Sequence, residues 1–86
     1  MQKADIEKKV REVLQGGGDV LVNIDQIALN DELKDFGINS VSYLKIIMDL
    51  EEKFRIMFEK DELQFENFRS IDKITECIAS KLLQAG

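Results

Sequence analysis

The chain has 86 residues, 44% of them hydrophobic and 34% charged, with a net charge of −5. That length supports one small core with no second lobe, and the composition is that of a folded domain rather than a disordered chain. The acidic balance, with no sustained run of Lys and Arg, argues against binding along a nucleic-acid backbone and for a basic protein surface as partner.

Histidine is absent and cysteine occurs once, as Cys77. The commonest zinc ligands and the usual general base of nucleophilic triads are therefore missing, so neither a metal site nor a catalytic residue is expected. Carboxylates are plentiful, but a chain this short leaves little room for a walled substrate pocket between a catalytic pair. Cys77, among Ile74, Ile78 and Leu82, reads as a buried thiol. No apolar run approaches the roughly 18 residues of a membrane span. The N-terminal "MQKADIEKKV" lacks the apolar centre of a secretory signal, so a cytoplasmic location is expected.

The first helix is predicted from about residue 3 to 15, with Ile6, Val10, Val13 and Leu14 on one stripe. Gly16, Gly17 and Gly18 are expected to close it. They lack the Walker lysine and the preceding strand of a phosphate loop. Residues 16–39 lose helical period and read as a long loop. In it Val20, Val22, Ile24, Ile27 and Leu29 would plug gaps between helices, and "NDELKDFG" could make one helical turn before Gly37 breaks it. "VLVNI" competes as a strand but has no visible partner. A loop of this length is uncommon in a compact domain and is often functional.

The second helix is predicted over about 40–54. Val41, Leu44, Ile47, Met48 and Phe54 form its expected stripe, widened by Tyr43, Ile46 and Leu50. Asn39 would cap it, which puts Ser40 at the first helical position, beside free N–H groups and the positive end of the helix dipole. A short third helix is expected near 60–65. A last helix follows over about 70–84, capped by Ser70, with Ile71, Ile74, Ile78 and Leu82 facing inward.

An acidic residue, a hydrophobe and glycine ("DFG"), then "INSV", then an apolar helix ending in "LEEKF" resemble the acyl and peptidyl carrier proteins over nearly the whole chain. The resemblance implies an all-α fold: a small bundle of three long helices and one short helix, with a long loop between helices I and II, forming a single carrier domain over residues 1–86. The family's Asp-Ser-Leu-like tripeptide stands here as Asn39-Ser40-Val41. Asn keeps the capping chemistry and Val keeps an apolar side chain. By resemblance, Ser40 carries a covalent phosphopantetheine derived from coenzyme A. A helix start suits the phosphodiester of that arm. With no base near it in sequence, Ser40 would be modified by a transferase rather than act as a nucleophile itself. Seen alone, it would read as an ordinary helix-start serine.

The implied function is that of a stand-alone carrier. It holds an acyl or aminoacyl group as a thioester and shuttles it, as a monomer, between a loading enzyme and condensing, modifying or transferring enzymes. Asn39, Val41, Ser42, Lys45, Ile46 and Met57 are the expected contacts with the arm, a partner or an acyl chain between the helices. Tyr43, Ile47 and Phe58 are further candidates, and these three, like Val41, Ile46 and Met57, have a core reading of their own. Carriers of bacterial fatty acid synthesis show acidic residues soon after the serine, whereas here Ser42 and Lys45 occupy that face and acids begin at Asp49, Glu51 and Glu52. That points to a specialised polyketide, nonribosomal peptide or related pathway. A housekeeping fatty acid carrier and a D-alanyl carrier are the alternatives within the family. An unmodified helical interaction module is the alternative outside it.

Overall fold

The computed structural model describes residues 2–17, 24–38 and 40–85. Three α-helices carry the chain: α1 at Lys3–Gly17, α2 at Ser40–Phe54 and α3 at Ile71–Ala85. Short 3₁₀ turns lie between them at Ile24–Gln26, Leu33–Phe36, Lys60–Glu62 and Phe65–Phe68. The described residues contain no strand, so the all-α expectation holds; the "VLVNI" alternative lies, but for Ile24, outside them. Val20, Val22 and Asn39 lie outside the described residues, as does Gly18.

The stripe on α1 is as expected, with Ile6, Val10, Val13 and Leu14 all buried. The helix runs two residues past its predicted end, through Gly16 and Gly17. A glycine permits a helix to stop without compelling it to, and the space around Gly16 is open. α1 packs against both α2 and α3, and the 24–26 turn lies on it as well. Arg11 clasps that turn. Its Nη1 donates to the carbonyls of Ile24 at 2.7 Å and Ile27 at 2.9 Å, and its Nε bonds Glu7 at 3.0 Å.

Ile24 and Ile27 plug the core as expected, but Leu29 is exposed. Its backbone is what docks: the Leu29 carbonyl accepts the Asp72 N–H at 2.9 Å, and the Leu33 N–H donates to the Arg69 carbonyl at 2.9 Å. The loop is thus fastened to the first turn of α3 through main-chain bonds that leave the Leu29 side chain outside. The expected helical turn before Gly37 is present at Leu33–Phe36, as 3₁₀.

The stripe expected on α2 is misphased. Its buried line is Ile46, Leu50 and Phe54, flanked by half-buried Tyr43 and Ile47. Leu44 and Met48 are each 66% exposed. α2 ends on Arg55 at φ 55°, with the Ile56 N–H returning to the Glu51 carbonyl at 3.0 Å, the bond pattern of a left-handed helix cap. The Glu51 carboxylate then accepts the Phe58 N–H at 2.9 Å and turns Phe58 into the core.

The predicted short helix over 60–65 is instead two 3₁₀ turns parted at residues 63 and 64. Side chains take the bonds a continuous helix would have used. The Glu62 carboxylate accepts the Glu59 N–H at 2.6 Å, and the Asn67 amide donates to the Glu62 carbonyl at 2.9 Å. α3 begins where expected, its Lys73 N–H bonded to Ser70 Oγ at 3.2 Å. Ile71, Ile74 and Ile78 are buried and Leu82 packs against them. Cys77 is half-buried beside that core rather than within it. Burial, with the Glu62 charge second, pushes its thiol up.

Candidate functional site

The chain enters α2 through a turn that only glycine makes without strain. Gly37 has φ 93° and ψ 7°, and its N–H returns to the Lys34 carbonyl at 3.4 Å. Gly37 thus breaks the preceding turn as expected, in a left-handed conformation where a Cβ would clash with the backbone. Ile38 follows, buried, and pins the strand of chain just ahead of the helix. Ser40 is therefore placed two residues after a core anchor, as the first residue of α2.

Serine brings a primary alcohol to this position of the sequence, and a helix start carries backbone N–H groups that have no partner within the helix. The first turn of α2 carries no acidic residue, so no carboxylate there opposes an anion at the positive end of the dipole. This donor set fits a phosphate ester at Ser40. The side chains of Ser40 and Val41 lie outside the description.

The remaining expected contacts separate. Ser42 is half-buried. Lys45 is exposed and pairs with Asp49 one turn on, Nζ to Oδ2 at 3.2 Å. Met57 is 79% exposed. Ile46 is 1% exposed and belongs to the core, because it points along the same line as Leu50 and Phe54. It offers nothing to a partner or an external arm, and of its expected roles only contact with a chain between the helices is open to it. Tyr43 is half-buried with its ring edge-to-face on Phe68, centroids 5.8 Å apart. Burial, and then the Glu32 charge, raise its hydroxyl well above the usual tyrosine range. The pairing of Lys45 with Asp49 leaves the early face of α2 close to neutral, with Leu44 and Met48 as its exposed apolar content.

Sequence reasoning missed two features of this end of the molecule. One is the outward placement of Leu44 and Met48. The other is Arg69, whose guanidinium bonds Glu32 through both Nε and Nη2 and Glu66 through Nη1 at 3.0 Å. The Arg69 hydrogen bonds, helped by its charge, lower the Glu32 carboxyl below its ordinary value, and the hydrogen bonds to the two carboxylates raise the guanidinium. Nothing in the local pattern pairs residues 32 and 69, so no sequence signal marks that clamp.

The phosphopantetheine attachment site family model matches residues 8–78. The chain belongs to that family. Its members are carriers rather than catalysts, and phosphopantetheine is their covalent prosthetic group. A search of curated proteins finds no significant match.

Among solved structures, this carrier is similar to a chain in the complex of an engineered Bradyrhizobium japonicum glycine:[carrier protein] ligase with a carrier protein from Agrobacterium tumefaciens and ATP. Identity there is 27%, with 87% of this chain and 97% of that one covered and a TM-score of 0.83. The Bradyrhizobium japonicum ligase complex with glycylated carrier protein matches at 21% identity, 87% and 96% coverage and a TM-score of 0.67. The holo acyl carrier protein of Nitrosomonas europaea matches at 20% identity, 96% and 99% coverage and a TM-score of 0.70. The last two show the shared fold.

Proposed function

We propose that Ser40 is the attachment point of the phosphopantetheine arm and that the chain is a single carrier domain. It holds a small acyl or aminoacyl group as a thioester and passes it between enzymes in the cytoplasm. The observation that carries this is the position of Ser40: first residue of α2, just past the Gly37 turn and inside the matched segment. When bound, the arm supplies a thiol that stores the acyl group in activated form.

The chain's own part is presentation. Gly37 and Ile38 fix where the helix begins, the helix start favours the phosphodiester, and the outer face of α2 meets the enzymes. Ser42, Leu44, Lys45, Met48 and Met57 are the residues this reading puts against partners. The first of these partners is a phosphopantetheinyl transferase. A loading enzyme of the aminoacyl ligase type comes next, by likeness to the carrier protein in the glycine:[carrier protein] ligase complex. An early face that the Lys45–Asp49 pair leaves close to neutral disfavours docking on the basic patches that read acidic carriers. That supports a dedicated pathway over housekeeping fatty acid synthesis.

The test is intact-protein mass after incubation with coenzyme A and a broad-specificity transferase. The native chain and Ser42→Ala should gain one arm, and Ser40→Ala should remain folded and gain none. A native chain that takes no arm would instead be an unmodified interaction module. The loaded carrier is then offered to housekeeping fatty acid enzymes, where poor turnover that Lys45→Glu improves is the expected result. Efficient native turnover that the substitution leaves unchanged would return the chain to the housekeeping role.

A further inference from the structure

An apolar chain tethered at the start of α2 gains free energy by leaving water, and the nearest interior is the space between α2 and α3. Those two helices are not in the close contact that each makes with α1, so side chains decide whether the space is open. It is filled by aromatic rings. Phe68 is fully buried and receives two edge-to-face neighbours, Tyr43 from α2 with centroids 5.8 Å apart and Phe58 at 5.2 Å. Tyr43 stands three residues after Ser40 and is only half-buried. Ile46, Leu50, Ile71, Ile74 and Ile78 are buried in the same core as the rings.

Phe68 is also held from behind. The carbonyl of the next residue, Arg69, takes the Leu33 N–H, and its guanidinium is bonded to Glu32 on the loop and Glu66 on the turn. Lys81 closes the far side, bonded to Glu62 at 2.7 Å and 5.9 Å from the Phe58 ring centre. A chain entering here would have to move a packed ring that is clamped at both ends, and interiors at native density do not yield such volume freely.

We propose that Tyr43 and Phe68 close the interior to long acyl chains, which makes this a carrier for short or polar acyl groups, aminoacyl groups included, whose cargo stays outside the bundle. This rests on the arm being attached at Ser40. Selection works by loss of protection: a long chain left in water gains nothing from the bundle, whereas a short polar one has nothing to gain.

The experiment loads the native holo-protein with acetyl or decanoyl thioester, verified by intact mass. It then reads thioester cleavage by hydroxylamine together with the methyl resonances of Ile46, Ile74 and Ile78. Equal cleavage of the two thioesters and unmoved methyl resonances are expected. In Tyr43→Ala and Phe68→Ala, the decanoyl thioester should become about tenfold slower to cleave, the factor that burying two methylenes supplies, and the methyl resonances should shift. Decanoyl protection in the native chain overturns the inference, and it does so whether or not either variant folds. Folded variants that leave decanoyl equally labile would show that these two rings are not the barrier. A chain that takes no arm at all sinks the carrier reading itself and is recognised at the mass step.

Discussion

Gly37 and Arg55 are the two residues, among those described, whose backbones enter the left-handed region, and they bracket α2. Gly37 was legible because a glycine between a short periodic stretch and an apolar helix marks a turn. Arg55 was not, since nothing in "EKFRIM" marks a non-glycine residue for that conformation. Gly37→Val is expected to lower stability by about 1–2 kcal/mol, the cost of forcing a side chain into that region, measured as a lower midpoint in urea with an unchanged slope. A variant as stable as the native chain would mean that the turn into α2 is made some other way. Ile46 carries a different lesson at the same scale. The resemblance makes it one of several contacts, yet its spacing of four to Leu50 and eight to Phe54 is that of the buried line.

At the scale of elements, α1 and α3 were legible because their apolar residues occupy one face and polar residues the other. α2 has apolar residues on every side between Val41 and Leu50, so several phases fit it. The better guide was its polar content. Lys45, Asp49 and Glu52 mark the solvent face, and Leu44 and Met48 sit beside them. The clamp that ties the loop to the approach to α3 escaped the sequence because it joins Glu32 to Arg69 across 37 positions. Its energetics follow from the lowered Glu32 carboxyl, whose ordinary value is 4.5. A carboxyl depressed in the folded state contributes stability that is present above its unfolded value and is lost as pH falls through the folded one. The melting temperature of the native chain should therefore exceed that of Glu32→Gln at pH 7, with the gap closing below about pH 4. A gap that persists unchanged in acid would assign the difference to packing instead of charge.

For the whole molecule, the order of helices, the long fastened loop and the turn into α2 were all readable, because periodicity, glycine placement and the resemblance pointed the same way. The two 3₁₀ turns that replace the short third helix were not, because Glu62 and Asn67 satisfy the backbone through bonds that local propensity does not encode. Nor was the aromatic fill between α2 and α3, which brings together residues 43, 58 and 68 from three segments. What unites these features is a frame that fixes the start of α2 and leaves its outer face open to other proteins. The most direct measurement is fragmentation of the tryptic peptide Asp35–Lys45 from transferase-treated protein, which holds both Ser40 and Ser42. The arm located on Ser40 is the result this account predicts. An arm on Ser42, or a peptide that stays unmodified under conditions that load another carrier, would contradict it.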